Sequence, residues 1–448
     1  MLLSFAIENY RSFRDVAILD LQKRSFTTNL PKDKNWVSST QRVAAIFGAN
    51  AAGKSNILRP LDLLASAVAG SVTEHGWLRT LRDPHRTRTE APTRLQVEYE
   101  VSGIRFRWGL ELSDEGIVSE RLDANPAGYW RKVFSRKSDQ IEFGPKSTIP
   151  KSVQENISEF LKPWVLSMSA WSLMKRKGEY AGAVSWWSSS IATVFPGETE
   201  QSRRHESLLK MVAKHPSWLL AAQLVMHVAD VGIAEVRIKE RDVPDELKEF
   251  ASRMNEVLAE GFVDSENISD LAIDEMQEVL QYLEFSHTSE YGDFNLDERE
   301  ESLGTRSWFD LAIPAIYTLV TGGVLVVDEI DSSLHPVLLR HLVGMFTDES
   351  VNVGAGQILF TSHDLTLMGH HPEPAIDSEA AWLVEKSGGC SELIAWDEFP
   401  IRAPHNLEKR YFQGRYGAIP MPDLLSVRPA IKKLRSEYLS FKPRRGEV

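Results

Sequence analysis

"FGANAAGKSN", Phe47 to Asn56, packs two glycines, three alanines and one lysine among small polar groups. Gly48-x-x-x-x-Gly53-Lys54-Ser55 follows the pattern G-x-x-x-x-G-K-[ST]. Glycines let a backbone curl until several N–H groups point inward at a polyphosphate. A helix starting there adds its positive end. The flanks agree. "RVAAIFGAN", 42–50, is a short apolar run, as for a buried strand. "SNILRPLDLLASAVA" has helical spacing at Ile57, Leu58, Leu61, Leu64 and Val68, with Pro60 early, near where proline is tolerated. Strand, phosphate loop and helix predict an α/β fold. A chance glycine turn would not explain both flanks. The candidate phosphate contacts are Gly48, Ala49, Asn50, Ala51, Ala52, Gly53, Lys54, Ser55 and Asn56. Lys54 would reach the β- and γ-phosphates of ATP, and the Ser55 hydroxyl would face Mg²⁺.

Whether such a site can act on its nucleotide depends on carboxylates elsewhere. "VLVVDE", 324–329, reads as a buried strand ending in two acids. Asp328 is the second candidate metal ligand. Glu329 is the candidate base for the attacking water. "LFTSHD", 359–364, is another strand, ending at His363, which could sense a γ-phosphate by hydrogen bond. Alone, each has a plain structural reading, an acidic turn or a structural histidine. "EESLGTRSW", 300–308, opens a predicted helix with Ser302, Gly304 and Thr305. Ser302-x-x-Thr305 would serve as an ordinary cap, or the helix start could bind the phosphates of a second subunit.

The chain has 448 residues, 42% apolar and 25% charged, as in an ordinary globular protein, with a net charge of -12. Contact with nucleic acid would need a local basic patch. Residues 428–448, with seven Lys/Arg against two Glu, are either a solvated tail or such a contact. Cys390, the single cysteine, allows no internal disulfide and suits a cytoplasmic location. "MLLSFAIENYRSF" lacks a basic start and carries Glu8, so no signal peptide is expected. The longest apolar run, 311–327, is broken by Pro314 and Gly322-Gly323, so it reads as helix, turn and strand rather than a membrane span. Pro314 is expected to kink the helix. "TRLQVEYEVSGIRFRWGLEL", 93–112, alternates and turns at Ser102-Gly103, predicting a β-hairpin. In "SAWSLMKRKGEY", Trp171 and three basic residues read as a solvated loop with one buried tryptophan, and Trp186-Trp187 as packing. "VPDELKEFASRMNEVLAEGF" is the clearest amphipathic helix. Gln96 is a weakly placed candidate for a glutamine loop.

The order Walker A, long insertion, "ESLGT", "VLVVDEID", "LHP", "FTSHD" resembles the ATP-binding-cassette-type ATPases of the SMC/RecF/overcoming-lysogenization-defect superfamily, often called AAA family ATPases. "ENYRSFRD" is similar to that superfamily's start, where the segment lies near adenine and ribose; the resemblance makes Tyr10 and Arg11 candidate nucleotide contacts. "HNLEKRYFQGRYGAIP", 405–420, and "ADVGIAEVRI", 229–238, resemble stand-alone ATPases of bacterial anti-phage operons, RloA-like and abortive-infection ATPases and, more loosely, the PARIS ATPase subunit.

The resemblance implies an ABC-type P-loop ATPase head, with a mixed or parallel sheet covered by helices and a mainly helical insertion. The expected lobes are 1–150 with Walker A and the hairpin, 151–280 as the insertion, 281–400 with signature, Walker B and switch histidine, and 401–448 as a C-terminal extension. It also implies ATP and Mg²⁺ as ligands, slow hydrolysis, and a dimer or higher oligomer closing around nucleotide. The expected partner is a separately encoded effector, a TOPRIM- or RloB-type nuclease. The trigger is left open between a nucleic acid and a phage protein. The competing reading is an SMC/RecF-like ATPase acting directly on DNA in repair or recombination. A transporter ATPase is disfavoured because Lys54 and Asp328 stand 274 positions apart.

Overall fold

The computed structural model describes residues 1–31, 35–229, 232–242, 279–332, 334–368 and 376–398. The predicted amphipathic stretch 243–262, the 405–420 motif and the basic 428–448 segment lie outside the described residues.

β3 (Val43–Gly48) is buried at every position, as the phosphate-loop reading requires. A strand with no exposed face belongs inside a sheet covered on both sides. It lies in a six-stranded sheet of order β16-β15-β3-β14-β13-β9. β14 (Gln357–Thr361), β13 (Val324–Val327) and β9 (Ile191–Val194) run parallel to β3, as does β15 (Ala381–Ser387); β16 (Cys390–Ala395) returns antiparallel. Alternate side chains of these strands feed two separate apolar clusters. Ala44, Ile46, Val324, Val326 and Leu359 pack with Ile57, Leu58, Leu61 and Leu64 of the phosphate-loop helix Lys54–Gly70. Val43, Ala45, Phe47, Leu325, Val327 and Phe360 pack with the signature helix Leu303–Thr321 and the helix Pro336–Thr347.

A seven-stranded antiparallel sheet of order β2-β1-β4-β5-β6-β7-β8 carries the N-terminal lobe. Its strands are β1 (Leu2–Glu8), β2 (Ala17–Asp20), β4 (Thr93–Val101), β5 (Ile104–Ser113), β6 (Gly116–Asn125), β7 (Arg131–Lys137) and β8 (Gln140–Phe143). The predicted hairpin is β4–β5. Its turn, Ser102 at φ 52° and Gly103 at φ 81°, has the left-handed pair whose twist suits a two-residue hairpin. Trp186 stacks on Tyr99 of β4 at 4.5 Å, and Trp187 meets Trp108 of β5 edge-on at 5.0 Å. The Tyr99 hydroxyl donates to the Ala183 carbonyl at 2.8 Å. The helix Gly182–Ser189 is thereby welded to the N-terminal sheet. Trp171 is fully buried at the end of a short helix, Ser167–Ser172, while Lys175 and Arg176 stay exposed.

The described part of region 151–280, expected to be mainly helical, holds five helices and also strands. It supplies β9, which joins the central sheet beside β13, and β10 (Ile233–Asp242) of a three-stranded sheet with β11 (Val279–His287) and β12 (Phe294–Asp297). β9 is four half-buried residues between "WWSSS" and a Pro-Gly turn, too short for a periodic signal. Pro60 stands in the second turn of its helix, not the first, and the helix runs on through it. Pro314 likewise lies inside a helix that runs from Leu303 to Thr321, its carbonyl accepting from the Thr318 hydroxyl at 2.8 Å.

Candidate nucleotide site

β3, β14 and β13 are neighbours and parallel, so their C-terminal ends open on one edge. There the loop after β3, His363 after β14, and Asp328 with Glu329 after β13 converge. Lys54, Ser55, Asn50, Ala51, Gly53, Asn56, Glu329 and His363 line one cavity of about 580 Å³. Ser55 and Asp328 line an adjoining one of about 500 Å³.

Gly53 is a position in the loop where a side chain has no room. Gly53 sits at φ 112°, and a Cβ there would fall 2.6 Å from Ser12 Oγ and 2.7 Å from Ser391 Oγ. Ser391 in turn donates to the Ala52 carbonyl, and its N–H donates to the Ser12 carbonyl at 2.7 Å. The N-terminal segment and the β15–β16 hairpin therefore brace the loop from outside. Lys54 heads the helix, buried. Its ammonium donates to the carbonyls of Gly48 at 2.9 Å and Ala49 at 3.1 Å, and lies 3.3 Å from His363 Nδ1. Burial pushes its pKa down, while Asp328, Asp331 and Glu329 pull it back up. A buried cation served by neutral groups at the start of a helix is suited to an incoming polyanion.

Thr361, at the end of β14, ties the acids together. Its hydroxyl donates to Asp328 Oδ1 at 2.6 Å and accepts the Glu329 N–H at 2.7 Å. Glu329 has φ 52°, a left-handed backbone rare for glutamate and held here by its neighbours. The His363 backbone N–H donates to Asp331 Oδ2 at 3.1 Å.

Hydroxyl and carboxylate oxygens from Ser55 and Asp328 are the hard donors that Mg²⁺ takes. Among the described residues no three His, Cys, Asp or Glu side chains converge to hold a metal unaided, so the remaining oxygens would come from phosphate and water. The residues present fit a magnesium nucleotide.

Arg11 lines the cavity with Ser55. It donates to Asn56 Oδ1 at 3.3 Å and to Asp83 at 3.1 Å, while Asn56 donates to Ser12 Oγ at 2.9 Å. Tyr10 is wholly buried in the core, and burial raises its pKa to about 12; of the pair, Arg11 alone borders the site. Gln96 is exposed on β4, and neither phosphate-loop cavity includes it.

Ser302 caps the signature helix, accepting the Thr305 N–H at 3.1 Å. His287 holds Glu301 at 2.5 Å, and Glu301 accepts the Ser302 N–H at 3.3 Å. Ser302, Gly304 and Thr305 line neither phosphate-loop cavity, while Leu303 and Ser307 of the same helix line a third, of about 190 Å³, with Asp328 and Glu329.

Sequence reasoning missed the segment Phe195–Glu200, which follows β9 and walls the Ser55–Asp328 cavity with Arg59. Glu200 ion-pairs with Arg59, whose guanidinium lies 4.8 Å over the Phe195 ring. Finding β9 would have found this wall, since residues past a parallel strand's C-terminal end face the ligand edge.

No curated protein matches the chain. Among solved structures it resembles the SMC head domain of Thermotoga maritima, at 13% identity and TM-score 0.40, covering 88% of this chain and 98% of that one. It also resembles an Smc head bound to the C-winged helix domain of ScpA, at 13% identity and TM-score 0.43, with 92% and 99% covered. An Smc head with extended coiled coil, bound to the ScpA C-terminal domain derived from Pyrococcus furiosus, matches at 11% identity and TM-score 0.38, with 92% and 98% covered. A family model described as "AAA domain, putative AbiEii toxin, Type IV TA system" matches residues 43–171 and 194–369, which hold the phosphate loop, the signature helix, both acids and the histidine. With the greater part of its length inside that model, the chain belongs to this family of P-loop AAA-domain proteins.

Proposed function

We propose that the chain binds and slowly hydrolyses ATP, and that two copies close around the nucleotide to control a separately encoded nuclease in anti-phage defence. One observation carries the nucleotide reading: Lys54, Ser55, Asp328, Glu329 and His363 meet at the ends of three adjacent strands. Lys54 and the loop amides take the phosphates. Ser55 and Asp328 would hold Mg²⁺, which when bound would supply charge neutralisation to the phosphates. Glu329 accepts the proton of the attacking water, and His363 contacts the γ-phosphate and reports its loss. The signature start, capped by Ser302 and with Ser302, Gly304 and Thr305 outside both phosphate-loop cavities, would cover the phosphates of a second copy. Each site is then complete only in the dimer, so assembly follows nucleotide state.

The test uses the purified chain with ATP and Mg²⁺, with and without duplex DNA at two salt concentrations. The reading expects slow phosphate release, and DNA affinity too weak to account for function. Tight DNA binding falling steeply with salt would favour direct action on DNA. Absence of nucleotide binding would end the reading.

A further inference from the structure

We propose that Thr361 is the positioning residue that sets both acids of the site, the metal ligand and the base, through one hydroxyl; this rests on the nucleotide reading above. Thr361 is fully buried, so water cannot substitute for it. Its single hydroxyl proton goes to Asp328 Oδ1 at 2.6 Å, and its lone pair takes the Glu329 N–H at 2.7 Å. Its carbonyl then accepts the Ile330 N–H at 3.0 Å. Three successive residues past β13 are thus fixed by one residue of β14. The parallel register, Val327 opposite Phe360, puts Thr361 level with Asp328. On its other side Thr361 pairs with Ile46 of β3, the strand that launches the phosphate loop.

Two consequences follow from the chemistry. One Asp328 oxygen is engaged by the hydroxyl, which restricts carboxylate rotation and orients the group for Mg²⁺. Glu329 is held in a left-handed backbone that a glutamate leaves readily unless its N–H is bonded. Loss of the hydroxyl should therefore weaken metal use and the chemical step together, with little effect on phosphate binding by Lys54 and the loop amides.

Thr361→Val keeps the shape and removes the hydroxyl; Thr361→Ser keeps the hydroxyl and removes the methyl. Binding of a fluorescent ATP analogue is titrated without Mg²⁺ and then against Mg²⁺, beside kcat and KM for hydrolysis. In Thr361→Val, Mg²⁺-free binding should stay within about twofold, while the Mg²⁺ requirement rises and kcat falls by about 10- to 100-fold. Thr361→Ser should restore both to within about threefold of wild type. If Thr361→Val cannot be produced folded, Thr361→Ala removes the same hydroxyl and must show the same displacement. A normal Mg²⁺ requirement and kcat in the hydroxyl-less variant, or a serine variant as impaired as the valine, would overturn the assignment. If wild type itself shows no nucleotide binding, the nucleotide reading fails and takes this assignment with it; if wild type binds and only the Thr361 variants disagree, the assignment alone falls.

Discussion

At the scale of single residues, the account is about where charge sits. Lys54 is buried, served by two carbonyls and a histidine, with its pKa pushed down by burial. Lys54→Ala should remove measurable ATP binding in an equilibrium titration, because the loop amides alone must then hold the phosphate charge. Glu329→Gln should bind ATP as wild type does but release phosphate at least ~100-fold more slowly, since a neutral amide takes no proton. Both residues are legible in sequence because the chemistry requires them at fixed spacing from a glycine loop or a strand end. Thr361, Ser391 and Arg59 are not. Each acts on residues far from it in the chain, Thr361 on 328–330 and Ser391 on Ala52, and no local pattern encodes a partner that distant.

At the scale of elements, a half-buried clasp helps to hold the signature helix to the helix Glu198–Lys214. His205 bridges Asp310 Oδ1 at 2.7 Å and Glu298 Oε2 at 3.0 Å. Burial alone would lower the imidazole pKa, but the hydrogen bonds and charges of the two acids outweigh it and bring it to about 9. The folded value lies above the ordinary 6.5, so the clasp contributes fully below about pH 6.5 and is lost as pH rises through about 9. Glu298, held below its ordinary range in the same clasp, sets an acid limit on the other side. Thermal unfolding followed from pH 6.5 to 9 should therefore lose more stability in wild type than in His205→Gln. Parallel slopes would contradict the clasp. His205→Ala, which leaves buried Asp310 and half-buried Glu298 without their bridge, should cost on the order of 3 kcal/mol by denaturant unfolding. The hairpin turn and the signature cap were legible at this scale because Ser-Gly and Ser-x-x-Thr act within a few residues. β9 was not: four residues carry no period, and only their pairing with β13 makes them a strand.

At the scale of the whole molecule, the parallel order of β3, β14, β13 and β9 gathers chemistry from residues 48 to 363 on one edge. The sandwich of a sheet between two apolar clusters was legible from the unbroken burial-type runs of β3, β13 and β14. The extent of the N-terminal sheet was legible only for the β4–β5 hairpin. Among the described residues no helix is long and apolar enough to cross a membrane. In the proposed dimer the signature of one copy meets the phosphate loop of the other. Ser302→Asp keeps the helix cap while setting a negative charge where a partner's phosphates would lie, so it should spare nucleotide binding and prevent ATP-dependent association.

The most direct test is the light-scattering mass of Glu329→Gln with saturating ATP and Mg²⁺, alone and combined with Ser302→Asp. The account predicts that nucleotide doubles the mass of the single variant and leaves the double variant at its nucleotide-free mass while it still binds ATP. A single variant that binds ATP without changing mass, or a double variant that associates as readily as the single, would contradict a nucleotide held between the loop of one copy and the signature helix of another.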